Sequence, residues 1–221
     1  MESKDYIKNI DGAERRFFQS EVRVAAPATT EGNEPEEAPM IIEGYAAKYN
    51  TVTTIGGWFE EEILPGAFDD CLNDDIRALF NHDPNFILAR TTSKTLTVAA
   101  DKVGLKYSFT SPDRSYAEDL CDAIKTGDVS ESSFAFRVAE ENWIIGDSSK
   151  GVLDKRQIVK FKTIFDVSPV TYPAYPDTEV AQRSLTSYKK ENNIEMIQNR
   201  SEENRELSTF EAQILINKNR V

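Results

Sequence analysis

Between Met40 and Thr178 the chain alternates short runs of β-branched and aromatic residues with breaks of Gly, Asp, Asn or Pro, and this rhythm admits few folds. Met40–Tyr49, Arg77–Phe80, Thr95–Ala99, Leu105–Thr110, Ser132–Val138, Gln157–Ile164 and Asp166–Thr171 are predicted strands. Two helices are predicted between them. One starts near Pro65-Gly66-Ala67-Phe68 and runs to Leu72. The other follows Ser115, has Glu118 three residues on as a capping box, and stops at Gly127. With many short strands and no βαβ rhythm, a doubly wound sheet is disfavoured. The expected class is α+β and mainly β, a curved or closed antiparallel-rich β-barrel with a few flanking helices.

The flanks read differently. Residues 1–39 comprise a charged lead-in, a first strand over Phe17–Val24, and a stretch from Ala25 to Pro39 rich in Pro, Glu and Thr, with the composition of a disordered loop. Residues 40–182 form the expected domain. Residues 183–221 are a polar helical or disordered tail, in which Ile194, Ile197, Leu207, Phe210, Ile214 and Leu215 are spaced for one apolar stripe.

Composition excludes several function classes. Hydrophobic residues at 39% suffice for a core, but a formal charge of -12 argues against sequence-independent nucleic-acid binding, which relies on cationic neutralisation of phosphates. No run approaches the length of a membrane span. Met1 to Gly12 lacks an apolar h-region, so the expected compartment is a cytosol. Cys71 and Cys121 form no metal-like motif and are expected to be buried, reduced thiols.

Histidine occurs once, at His82, in Ala78-Leu79-Phe80-Asn81-His82-Asp83. An enzyme built on this chain with an imidazole base has no second candidate; otherwise His82 is a surface or capping residue at a strand end. In Gly127-Asp128-Val129-Ser130-Glu131-Ser132-Ser133-Phe134-Ala135-Phe136, alternation puts Phe134 and Phe136 on one face and Ser133 and Ala135 on the other. Ser133 there meets the backbone needs of a nucleophile facing a substrate groove, while Ser130, Ser132 and Ser133 equally suit turn and capping roles. Asp166 lies between Phe165 and Val167, so it either faces water or pairs with a buried partner, for which His82 is chemically suited. Glu60, Glu61 and Glu62 raise a metal-assisted hydrolase, but consecutive residues on a strand alternate faces and read as a solvated edge.

Seven pieces in order carry a resemblance: Glu43-Gly44-Tyr45-Ala46-Ala47, Glu62-Ile63-Leu64-Pro65-Gly66-Ala67-Phe68, Ala78-Leu79-Phe80-Asn81-His82-Asp83, Gly104-Leu105, Gly127-Asp128-Val129-Ser130, Ser133-Phe134-Ala135-Phe136, and Asp166-Val167-Ser168-Pro169-Val170-Thr171 running into Pro173-Ala174-Tyr175. Residues 40–178 thereby resemble the prohead (procapsid maturation) serine proteases of tailed phages, related in fold to the herpesvirus assemblins. The resemblance implies His82 as base, Ser133 as nucleophile and Asp166 as third member. Two positions depart from the pattern: Ala135 stands where the family has Gly, and Arg90-Thr91 where it has Gly-Thr.

What the resemblance implies in function is a serine endopeptidase inside the immature capsid in the host cytoplasm, cutting scaffold or capsid protein and then itself. Its partners would be the major capsid protein with its scaffolding segment, with self-association open, and no nucleic acid, membrane, metal or organic cofactor. The competing expectation is a catalytically inactive capsid-assembly scaffold module.

Overall fold

The computed structural model describes residues 12–18, 22–25, 39–172, 178–192 and 194. The chain divides into two units, Met1–Val180 and Ala181–Val221. The strands are β1 (Glu14–Phe18), β2 (Arg23–Ala25), β3 (Ile41–Lys48), β4 (Thr53–Ile55), β5 (Phe59–Ile63), β6 (Arg77–Phe80), β7 (Asp83–Arg90), β8 (Leu96–Ala100), β9 (Gly104–Thr110), β10 (Glu131–Ile144) and β11 (Asp154–Val170). Among the described residues two α-helices accompany them, α1 (Ser115–Thr126) and α2 (Thr178–Glu191).

The mainly β class stands, but the strands form two open sheets rather than a closed barrel. One sheet has seven strands in the order β1-β10-β11-β5-β4, with β6 also on β11 and β7 on β6; the other has four, β2-β3-β9-β8. Strand β11 is the spine of the larger sheet. Its first half runs parallel to β5 and its second half parallel to β6, while β10 lines its other edge antiparallel.

Several boundaries differ from the expectation, each for a physical reason. The single strand expected over Phe17–Val24 is two strands, β1 in the large sheet and β2 in the small one. The strands expected at Gln157–Ile164 and Asp166–Thr171 are one, with a bulge at Phe165 as the pairing shifts from Ala135↔Asp166 to Phe136↔Ile164. Pro65 to Asn73 is a chain of turns, not a helix. Its hydrogen bonds run three residues back, as from Asp69 N–H to the Gly66 carbonyl, and the Ala67 carbonyl accepts from Phe161 N–H instead of from its own turn. Helix α1 ends as expected, with Gly127 left-handed at φ 85° and its N–H returned to the Ile124 carbonyl. It begins without the expected box, since its N-cap is Arg114, with no side-chain cap.

The core lies behind Ser133. Phe134 and Phe136 both point away from it, their ring centroids 4.6 Å apart, and Phe161 stacks on Phe68 at 4.6 Å. These rings are fully buried, at about 2–3 kcal/mol each, so the face that β10 turns inward is fixed and the Ser133 face is fixed with it. Gly104 serves a second join: a Cβ there would stand 2.0 Å from the Ala47 carbonyl oxygen, so β9 meets β3 only without one. Cys71 and Cys121 are buried free thiols, and burial pushes the Cys71 thiol up to about 12.

Of the flanks, residues 26–38 and the apolar stripe beyond Ile194 lie outside the described residues. Lys189 and Lys190 lie in the last turn of helix α2, where cations suit the negative end of the helix dipole.

Candidate active site

His82 is carried by the turn between β6 and β7. Phe80 pairs with Asp83, leaving Asn81 and His82 as the two turn residues, at φ 54° and 57°. Two positive φ angles in a two-residue hairpin are what a primed turn needs, and Asn accepts this far more readily than His. The turn is clamped to the end of β11. Asn81 N–H donates to the Pro169 carbonyl at 3.0 Å, and Asn81 Oδ1 accepts from the Thr171 N–H at 2.9 Å and hydroxyl at 3.2 Å.

The clamp delivers His82 to the face where Ser133 and Asp166 already sit. Ser133 opposes Ser168, and Ala135 opposes Asp166, across the β10–β11 ladder. His82 Nδ1 is 2.5 Å from Asp166 Oδ1, and Nε2 is 2.6 Å from Ser133 Oγ. An ionised carboxylate only accepts, so Nδ1–H is the donor and Nε2 accepts the Ser133 hydroxyl proton. All three side chains are buried. Burial alone would raise the Asp166 carboxyl; the His82 ring and the Ser168 hydroxyl outweigh it and hold Asp166 below its ordinary range.

The three residues singled out in the sequence thus meet, while the other serines do not. Ser132 points to the opposite face, 2.7 Å from the Tyr107 hydroxyl, and Ser130 is exposed in the turn before β10. The expectation that Ser133 faces a groove is corrected: its relative exposure is 0%, and its Oγ also lies 3.0 Å from the Arg16 carbonyl oxygen on β1. Nor is Arg90 an irregular substitute for glycine. It does not have positive φ, and its guanidinium holds Asp75 through two bonds of 2.7 and 2.5 Å.

Two groups escaped the sequence reading. Ser168 donates to Asp166 Oδ1 at 2.8 Å, and its position two residues after Asp166 on one strand was the available signal. The other is a buried ion network between β1 and the sheet. Arg16 Nε meets Glu61 Oε1 at 2.6 Å, Arg156 Nη1 meets Glu14 Oε2 at 2.8 Å and Glu61 Oε2 at 2.9 Å, and Arg156 also binds Glu141. The Glu60–Glu62 run alternates as expected, yet Glu61 faces these arginines rather than water. Among the described residues no group of three His, Cys, Asp or Glu is placed to hold a metal, and no helix is long and apolar enough to cross a membrane.

A sequence-family model described as caudovirus prohead serine protease matches residues 27–191. The chain belongs to the caudovirus prohead serine protease family. No curated protein and no solved structure matches it. The prohead protease match contains Asn81, His82, Ser133, Asp166 and Ser168, and leaves β1 outside.

Proposed function

We propose that this prohead protease is a serine endopeptidase whose nucleophile is Ser133, whose base is His82 and whose orienting carboxylate is Asp166. One observation carries the reading: the unbroken chain Ser133 Oγ, His82 Nε2, His82 Nδ1, Asp166 Oδ1, with both links at 2.6 Å or less in a buried setting. In the reaction His82 Nε2 takes the Ser133 proton as Oγ bonds to the scissile carbonyl carbon. The imidazolium then protonates the leaving amine, and water hydrolyses the acyl-enzyme by the same path in reverse. Asp166 stays ionised and holds the ring in the needed tautomer. Backbone donors must meet the oxyanion, and the Thr171 N–H is already given to Asn81.

The substrates in this proposal are capsid protein and its scaffolding segment inside the procapsid, and the chain itself beyond about Arg183. The enclosure of Ser133 favours a second reading, a non-catalytic assembly module. The intact mass of the purified chain over time separates them. The active chain shortens to an end between roughly Tyr175 and Glu211 while Ser133→Ala stays full length. If the two keep the same mass, and neither cuts a capsid protein carrying its scaffolding segment, the chain is an assembly module.

A further inference from the structure

Strand β1 stands where a substrate would have to be. Phe17 lies directly opposite Ser133, Arg15 opposite Ala135, and opposed side chains share a face, so Arg15 and Phe17 flank the nucleophile. The Ser133 hydroxyl has one proton and two acceptors in reach, His82 Nε2 at 2.6 Å and the Arg16 carbonyl oxygen at 3.0 Å. A scissile carbonyl carbon must come within about 3–3.5 Å of Oγ. The main chain of β1 fills that space, and Ser133 has no exposed surface through which another chain could reach it.

We propose that β1 is a displaceable strand closing the active site, and that the substrate enters as an extended polypeptide that replaces β1 along the edge of β10. This rests on the serine-protease reading above and adds its regulation and the shape in which substrate binds. With β1 gone, β10 offers a row of unpaired backbone groups beside Ser133, the template that strand addition uses.

The way β1 is fastened suits a removable element. It is a five-residue edge strand that pairs with β10. Its buried charges are one acid and one base, Glu14 and Arg16, which also bind each other at 2.7 Å. Their departure changes the net charge of the network by nothing, and Arg156 keeps both Glu61 and Glu141. The sheet behind β1 is therefore not left with an unpaired buried cation, the arrangement that makes loss of one ion partner so costly. Strand β1 also lies outside the residues that match the family, 27–191, whereas the serine it covers lies within them.

The test uses the full-length chain and a small alkyl fluorophosphonate, which bonds to an activated serine oxygen as fluoride leaves. In Glu14→Ala/Arg16→Ala the side-chain ties of β1 to Glu61 and Arg156 are removed while its ladder to β10 remains, and the adduct on Ser133 should form at least tenfold faster than in the wild type. A second measurement on the wild type covers the case in which that variant fails to fold. Once Ser133 carries the phosphonyl group, the β1 amides should exchange hydrogen at least tenfold faster than in the unlabelled chain, while those of β11 stay within twofold. Equal labelling rates at Ser133 in a folded variant, or unchanged protection of β1 in the labelled chain, overturn the closing role and leave the nucleophile intact. No adduct on Ser133 in either chain overturns the serine reading, and the closing role with it.

Discussion

Asn81 and Thr171 form the clasp that holds the turn of His82, the proposed base: one side-chain oxygen of Asn81 receives both the backbone N–H and the hydroxyl of Thr171. The clasp holds a hairpin tip whose own backbone is unfavourable for His82, at φ 57°. Asn81→Gly should keep the turn but release the clasp, lowering kcat by about tenfold or more with a stability loss of about 1–2 kcal/mol. Asn81→Val should lose the clasp and also strain the turn, costing about a further 1–2 kcal/mol in urea unfolding. If the Val variant is as stable as the Gly variant, the left-handed turn is not what positions His82.

The Asp166 carboxylate and the Ser168 hydroxyl are separable in the same assay. Asp166→Asn should fold normally and lose about 10⁴ in kcat, because the amide supports the wrong imidazole tautomer. Ser168→Ala removes the hydrogen bond to Asp166 and a 3.3 Å contact with His82 Nδ1, and kcat should fall by roughly tenfold, with KM unchanged. A loss of less than tenfold in Asp166→Asn would make the site a Ser133–His82 dyad.

Acid should unfold the protein through its buried carboxylates. Burial alone would raise the Glu14 carboxyl, but the Arg16 and Arg156 guanidinium groups hold it below its ordinary value of 4.5. Asp166 is likewise held below its ordinary 3.8. A depressed carboxyl adds stability above its unfolded value, and that stability is lost as pH falls through the folded one. Urea midpoints should therefore hold near neutral pH and fall steeply below about pH 4.5. Glu14→Gln should cost about 3 kcal/mol at neutral pH and flatten the acid decline. An unchanged slope would place the acid-labile group elsewhere.

The legible part of the sequence was the part that obeys alternation. Phe134 and Phe136 announced which face of β10 is core, and so which face carries Ser133. A lone histidine and a carboxylate between apolar neighbours stood out as candidates beside it, and the family resemblance joined the three. What stayed hidden depends on contacts distant along the chain. Strand β5 is masked by three glutamates, and only Arg16 and Arg156 explain how Glu61 is buried. Strand β7, Asp83–Arg90, follows its turn at once and was hidden behind Pro84 and Asn85. The covering of Ser133 by β1 joins residues 117 apart, which no local pattern records.

Gly104 gives a test of the second sheet that does not involve the site. Gly104→Ala must push the Ala47 carbonyl aside and should lower stability by about 1–3 kcal/mol, with the rate of any surviving folded enzyme unchanged. A neutral effect in urea unfolding would mean that β3 and β9 meet less closely than the ladder shows.

In the proposed mechanism Ser133 is a nucleophile made reactive by His82. Peptide mapping of the chain after long exposure to a fluorophosphonate tests it most directly. One adduct should form, on Ser133, absent in Ser133→Ala and slowed by about 10⁴ or more in a folded His82→Ala chain. An adduct on Ser130, Ser132 or another serine, or labelling of Ser133 that continues at the same rate without His82, would contradict it.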